Sequence, residues 1–556
     1  MRLVILFTIY IIINSFSTTN LIGKSLSNRV SELLRNRIEA ADIPPKLSVG
    51  EEIIFASVML PRFYENRIFS PAWNSEKGPL PQTDELINAI RDAGREGLRS
   101  VDYHLVEIES TLSEVMENKK KKRELNPRRL VDLDLLLTDA FLIYGSHLLS
   151  GRVNPETIDA EWFANRREAN LAEILQKALD SNNIYETLQG LLPPQSGYKR
   201  LREALIRYKD IAQQTGWLTT PEGPKLQKGD KNNRVVPLRK RLKVTGDLEQ
   251  ANVENDTVFD GQLEEAVMHF QKRHGLNVDG IVGLGTLNAL NVSVQERINQ
   301  IEINMERWRW LPQDLGNKHL IINIANFELD VVENNKPVLT MRAIVGKSYR
   351  RTPVFSDKMT YLVLCPYWHV PQNIAAQDIL PLVKKDSLYF RKQNMKVFEG
   401  WGNEAKEIDP ETIDWSSITT NNFKYRFRQE PGPNNALGDI KFMFPNQFNV
   451  YLHDTPAREL FKKSTRGFSS GCIRIEKPTE LAEYVLSSDQ SWNREKIRAA
   501  INRKIEQTVR LPEPIPIHLL YWTSWVSEDG TLNFRDDIYS RDRPLVEALH
   551  EEPSRL

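Results

Sequence analysis

Between Ser25 and Tyr208 apolar residues recur mostly at three- and four-residue spacing, as in Leu133, Leu136, Leu137, Ala140, Phe141 and Tyr144. That period predicts a helical scaffold over 25–215. Gly97-Leu98-Arg99, Asp102-Tyr103-His104 and Gly151-Arg152-Val153-Asn154-Pro155 read as helix stops and turns, where a lone histidine is expected to be a hydrogen-bonded structural residue. His104 and His147 are placed in that class. The basic run Lys119 to Arg123 reads as a solvated helix end. Between Gln213 and Asn233 the chain turns rich in proline, glycine, threonine and lysine, which neither helix nor central strand tolerates, and a linker is expected. Helical spacing returns with Val236, Leu238 and Leu242, then Leu263, Ala266, Val267 and Phe270, and closes on Gly275 to Gly283 and Thr286-Leu287. With its leading linker this small domain covers 216–292. Ile298, Ile301, Met305 and Trp308 form one helical stripe before Pro312, which predicts a connector helix within 293–319.

From Leu320 the period falls to two. Ile322, Ile324, Leu329 and Val331 precede the turn Glu333-Asn334-Asn335-Lys336, and Val338 to Val345 runs back, so a β-hairpin opens a β-rich, sandwich-like domain over 320–542. Strand-like runs at 361–364, 448–452 and 518–526 extend it. Residues 378–435, long, irregular and carrying Trp401 and Trp415, read as an inserted lid, and 543–556 as a C-terminal tail. The fold class is multi-domain α+β.

Composition narrows the partners. A chain of 556 residues exceeds a single core, which stops growing near ~250–300 residues. Lysine plus arginine and aspartate plus glutamate both total 74, so no global field steers it to nucleic acid or anionic lipid. The only cysteines are Cys365 and Cys472, too few for a disulfide scaffold. No ligand spacing such as H-E-x-x-H appears, so no metal and no organic cofactor are expected. At the start, Met1-Arg2 leads an apolar run to Ile13 with Ser15 and Ser17 behind it. This reads as an export signal over 1–18, shorter than the ~20 residues that span a bilayer, which favours cleavage over a retained anchor.

Candidate chemistry lies near the C-terminal end. Tyr451-Leu452-His453-Asp454-Thr455 ends a strand-like run, and 19 positions after the histidine stands Cys472, in Phe468-Ser469-Ser470-Gly471-Cys472-Ile473-Arg474-Ile475. A histidine and cysteine that meet in space are the minimum for acyl transfer through a thioester, because an imidazole that takes the thiol proton raises the rate of attack. A free cysteine is also commonly a small buried hydrophobe. Cys365, in the apolar strand end Val363-Leu364-Cys365-Pro366, reads that way, whereas glycine and polar residues surround Cys472. Gly471 would let backbone amides near Cys472 approach a carbonyl oxygen as oxyanion donors, with Ser470 and Asp454 in support. Asp454 orients the imidazole either by its carboxylate or by leaving that task to a backbone carbonyl. Arg474, two residues past the cysteine, either holds a substrate carboxylate or braces the loop, and Tyr451 joins it as a substrate-binding candidate.

The small domain at 216–292 closely resembles the three-helix peptidoglycan-binding domain found beside many cell-wall enzymes. Its matched positions are mostly core and turn residues, so wall binding and a spacer role both stand. His453 through Cys472-Ile473-Arg474 resembles the signature of the L,D-transpeptidase catalytic domain. Ile344-Val345-Gly346-Lys347, Arg351-Thr352-Pro353, Trp368-His369-Val370-Pro371 and Ile374 resemble its framing segments. Many shorter members carry a histidine before the Gly-Cys pair and a glycine after the first histidine. Here Ser470 and Asp454 stand at those places, as in the long periplasmic branch of Gram-negative bacteria, which leaves His453 as the base. The resemblance implies that Cys472 attacks a tetrapeptide stem of peptidoglycan, releases D-alanine and forms a 3,3 cross-link. It leaves water or a lipoprotein lysine as other acceptors. It also implies carbapenem β-lactams as covalent inhibitors, periplasmic residence, and other cell-wall synthesis proteins as possible partners.

Overall fold

The computed structural model describes residues 25–41, 47–163, 166–214, 216–249, 257–400 and 405–555. The export signal at 1–18 and Trp401 lie outside these residues. No helix among those described is long and apolar enough to cross a membrane.

The N-terminal region is helical, as its period requires. It is built round α1 (Leu26–Glu39) and α2 (Pro127–Ser150). α2 is buried almost throughout, its few buried polar side chains such as Asp134 and Asp139 hydrogen-bonded, so it forms the centre of this core rather than an amphipathic surface helix. Asn126 caps it through its side chain, with Pro127 at the first helical position. The last helix of the region, α3 (Ser196–Gln213), belongs elsewhere. Its Tyr198, Leu201, Leu205 and Tyr208 pack with Ile298, Ile301, Met305 and Trp308 of α7 (Val294–Arg309) in a separate core. The boundary expected at 215 therefore does not coincide with the boundary between cores.

The small domain comprises α4 (Val235–Val244), α5 (Gly261–Arg273) and α6 (Leu284–Asn291) round Leu238, Leu263, Val267, Phe270 and Leu290. Its leading segment is pinned rather than loose. Thr220 and Asn291 exchange two hydrogen bonds of 2.8 and 2.9 Å, and the Arg241 guanidinium lies 3.8 Å from the Trp217 ring centroid. The connector α7 is likewise an axis. A capping box of Ser293 and Glu296 starts it, and its buried polar residues are paired across domains: Arg307 with Asp542 (2.8 Å), Arg309 with the Tyr198 hydroxyl (2.9 Å), Asn304 with Thr523.

The catalytic-candidate domain is one sheet of β1 (Lys318–Asn323), β2 (Glu328–Glu333), β3 (Lys336–Gly346), β4 (Phe355–Leu364), β9 (Ile440–Met443), β10 (Leu452–His453), β11 (Gly467–Ser469), β12 (Ile473–Ile475) and β13 (Gln507–Leu520), in the order β11-β3-β12-β10-β9-β4-β13-β1-β2. Because β2 also pairs with β3, the sheet closes on itself and its two layers share one core. Alternation does the sorting: Phe442, Leu452, Ile473 and Ile475 point into that core, so their neighbours Lys441, His453 and Arg474 face the other way.

Two expectations need correction. The segment at 378–435 is not irregular. Together with Trp368 onward it forms a subdomain with a sheet of its own, β7-β6-β8-β5, where β5 is Trp368–His369, β6 Met395–Glu399, β7 Lys406–Ile408 and β8 Tyr425–Gln429. Val383, Phe390, Val397, Tyr425 and Phe427 fill its core. The supposed tail includes α8 (Asp542–His550), whose Leu545 and Leu549 are buried in the main core while Asp542 holds Arg307.

Candidate functional site

Three strands build the site. His453 pairs with Lys441 across the antiparallel β9–β10 pair and with Arg474 across the parallel β10–β12 pair. Directly opposed residues share a face, so Lys441, His453 and Arg474 form one row with the imidazole in the middle. One step away, two residues back on each strand, stand Tyr451 and Cys472, linked by the Ile473 amide donating to the Tyr451 carbonyl at 3.1 Å. Both rows line a cavity of about 940 Å³ whose opposite wall is the inserted subdomain, including Trp368, Ile374, Asp378 and Tyr389.

His453 is buried and its Nδ1–H donates to the Asp454 carbonyl oxygen at 2.6 Å, which leaves Nε2 as the basic nitrogen. Burial, then the Arg474 charge and, more weakly, Lys441, push its pKa down to about 3, against the pull of the Asp454 carbonyl. The imidazole is therefore neutral at ordinary pH. Cys472 is half-buried and unbridged, its Sγ 3.8 Å from the Asn449 carbonyl oxygen. Burial raises its pKa, while hydrogen bonding from Tyr451 and the charges of Lys441 and Arg474 oppose that rise. The resting pair is thus a thiol and a neutral imidazole. Tyr451, its pKa raised by burial, sets its ring 5.7 Å from that of His453.

Of the two ways left open for orienting the imidazole, the structure shows the backbone one. The Asp454 carboxylate turns away from His453 to Arg458 (2.8 Å) and the Asp439 amide (3.0 Å). It fits there because Gly438, at φ +62°, has no side chain to collide with it. Among the described residues the hydrogen bond that orients the imidazole is the one to the Asp454 backbone carbonyl. Gly471 adopts φ +114°, a region that favours glycine, but its own amide donates to Ser469 Oγ at 3.2 Å. It shapes the loop, and the Cys472 amide that follows it has no hydrogen-bond partner among the described residues. Ser470 is exposed and its Oγ accepts from Arg350 at 3.0 Å.

The loop before Cys472 is held at three consecutive residues. The Ser469 carbonyl accepts from the Lys347 amide (3.0 Å), Ser470 from Arg350, and the Gly471 carbonyl from Thr352 Oγ1 (2.8 Å). This accounts physically for the framing segments round Gly346-Lys347 and Thr352-Pro353. Arg350 also grips Asp378 through both guanidinium nitrogens and Gln377 at 2.9 Å, so one side chain ties the insert to the loop of Cys472. Sequence reasoning missed Lys441 and Arg350. Lys441 becomes a site residue only through strand register, and Arg350 only through the fold of the insert. His104 and His147 are buried far from the cavity, and Cys365 donates to the Ile501 carbonyl at 3.2 Å.

A thiol, a neutral imidazole and a free backbone amide round one cavity are the equipment of an acyl-transfer enzyme of the cysteine type. Residues 317–503 match the family described as L,D-transpeptidase catalytic domain, and the chain carries such a domain. Residues 231–290 match "Putative peptidoglycan binding domain" and 59–205 "Scaffold domain". A Haemophilus influenzae protein named "Putative L,D-transpeptidase" is 35% identical over 254 residues, 46% of this chain and 50% of its own, so the match spans about half of that relative. An N-acetylmuramoyl-L-alanine amidase of Mycobacterium tuberculosis is 38% identical over 76 residues, 12% of this chain and 19% of its own. An L,D-transpeptidase structure from Xylanimonas cellulosilytica aligns at 17% identity over 54% of this chain and 99% of that one, with a TM-score of 0.17. One from Stackebrandtia nassauensis aligns at 14% identity over 54% and 96%, with a TM-score of 0.21.

Proposed function

We propose that this protein forms 3,3 cross-links in peptidoglycan through a thioester on Cys472, working in the periplasm. Cys472 Sγ attacks the carbonyl between the third residue and the terminal D-alanine of a tetrapeptide stem, and its proton passes to His453 Nε2. The Cys472 amide donates to the oxyanion. The C–N bond breaks, D-alanine departs with the proton from His453, and the acyl group stays on sulfur. An amine of a second stem then attacks the thioester, gives a proton to His453, and the C–S bond breaks to restore the thiol. Arg474 and Tyr451 hold the stem, and the domain at 231–290 brings the enzyme to the wall.

The observation that carries this reading is the free Nε2 of a neutral His453, set by register beside Cys472 in a cavity large enough for a peptide. Mass spectrometry after incubation with a carbapenem tests it: a covalent adduct is expected on the wild type and none on Cys472→Ala. No adduct on the folded wild type would leave a non-catalytic wall-binding scaffold. With tetrapeptide substrates, dimers are expected; tripeptide alone would make the enzyme an L,D-carboxypeptidase with water as acceptor.

A further inference from the structure

The row Lys441, His453, Arg474 holds two cations. The Lys441 ammonium has no hydrogen-bond or ion-pair partner among the described residues and rests 3.9 Å from the Tyr451 ring centroid, while the Arg474 Nε is buried without a partner. Half-buried cations with no direct ion-pair partner favour an anion beside them, so this wall of the cavity suits the anionic end of a ligand.

Strand order says which part of the ligand meets which cation. β10 lies between β12 and β9, and Cys472 directly precedes β12. An acyl carbon at Cys472 and a leaving nitrogen at His453 define a line that crosses the sheet from β12 to β10 and points at β9. The β9 residue opposite His453 is Lys441. Neighbouring strands are ~4.8 Å apart, and the carboxylate carbon of an α-amino acid is two bonds from its nitrogen. An amino acid leaving from His453 therefore delivers its carboxylate to Lys441. Arg474, on the strand that follows Cys472, lies on the acyl side instead.

We propose that Lys441 binds the free α-carboxylate of the leaving amino acid and so makes the enzyme selective for the terminal bond of a stem. This rests on the acyl-transfer reading above and adds the residue that recognises the leaving group. The full-length enzyme is assayed for kcat/KM with a tetrapeptide stem and with the same stem as its C-terminal amide. The wild type should favour the free acid by tenfold or more. In Lys441→Met the preference for the acid over the amide should collapse to about one, with the acid's extra loss mainly in KM whatever common change in kcat both stems share; Lys441→Arg should restore most of the preference. Far-UV circular dichroism and the thermal midpoint report that each variant is folded. A Lys441→Met enzyme that keeps the wild-type preference, or that loses acid and amide equally, overturns the inference and leaves the acyl-transfer reading standing. A wild type that consumes neither stem overturns that reading and this inference with it.

Discussion

Two buried histidines occupy opposite electrostatic worlds. His104, in the helical scaffold, bonds Glu52 through Nδ1 (2.6 Å) and Asp139 through Nε2 (2.7 Å). Burial opposes its charge, yet the hydrogen bonds and charges of Asp139 and Glu52 outweigh that and raise its pKa. His453 sits between two cations and has only a carbonyl to donate to, so burial and its neighbours act together to keep it neutral. The first is a hydrogen-bonded staple whose acidic partners favour its charged form, and it joins the residue before the helix Leu105–Lys120 to α2 and the hairpin round Glu52. The second keeps its Nε2 lone pair and is the base of the proposed reaction. Burial is common to both, so it is the charge of the facing residues that separates structure from chemistry.

The sharpest way to break this comparison is to delete each ring. His453→Ala should lower acylation of Cys472 by a carbapenem at least a thousandfold, on the order of a general base and its activated nucleophile acting together, with little change in stability. Time-resolved mass spectrometry of the adduct reads the first and urea denaturation the second. His104→Ala should do the reverse. It leaves Asp139 buried without its cation, a loss of about 3 kcal/mol, while acylation of the folded fraction stays near wild type. If His104→Ala were as stable as wild type, the staple would be wrong.

Acidification should separate the two further, because their linkage has opposite sign. His104 has a folded pKa above its unfolded value near ~6.5, so its contribution is complete below ~6.5 and is lost as pH rises through the folded pKa. His453 has a folded value of about 3, so between ~6.5 and that value the unfolded chain binds the extra proton and stability falls as pH falls, by up to ~1.4 kcal/mol per unit. Relative to wild type, His453→Ala should gain stability on acidification through this window, and His104→Ala should show its greatest deficit there. Denaturation midpoints from pH 5 to 8 read both, and parallel curves for the two variants would contradict the assignment.

How much of this was legible in the sequence follows from where periodicity exists. The long hairpin β2–β3 and the helices α2 and α5 announce themselves because many residues share one period. β10 is two residues long, and no pattern survives at that length, so the strand that carries His453 showed only as part of a longer run. The inserted subdomain hid because its aromatic core, Phe390, Trp415, Tyr425 and Phe427, is gathered from segments with no common period. Cys472 and His453 stood out by their setting. The turn of Asp454 away from the imidazole was undecided, since adjacent side chains diverge by a geometry that only the strand register and Gly438 supply.

The smallest expected effect tests whether the cations, and not burial alone, keep His453 neutral. Arg474 is the largest contributor after burial, and removing a like charge from beside an imidazole favours its protonated form. Arg474→Gln should therefore raise the His453 pKa by a fraction of the total depression, because burial, the larger cause, remains. In carbapenem acylation, the acid limb of rate against pH reports the free-enzyme pKa of the base, and that limb should move up by roughly one unit or less, while the scaffold's His104 is untouched. The plateau rate is read separately, since Arg474 also lines the cavity. A limb that stays in place while the plateau falls would mean that Arg474 acts on the ligand alone and that the neutrality of His453 comes from burial. The contrast with His104 would then narrow to the two carboxylates that His104 has and His453 lacks.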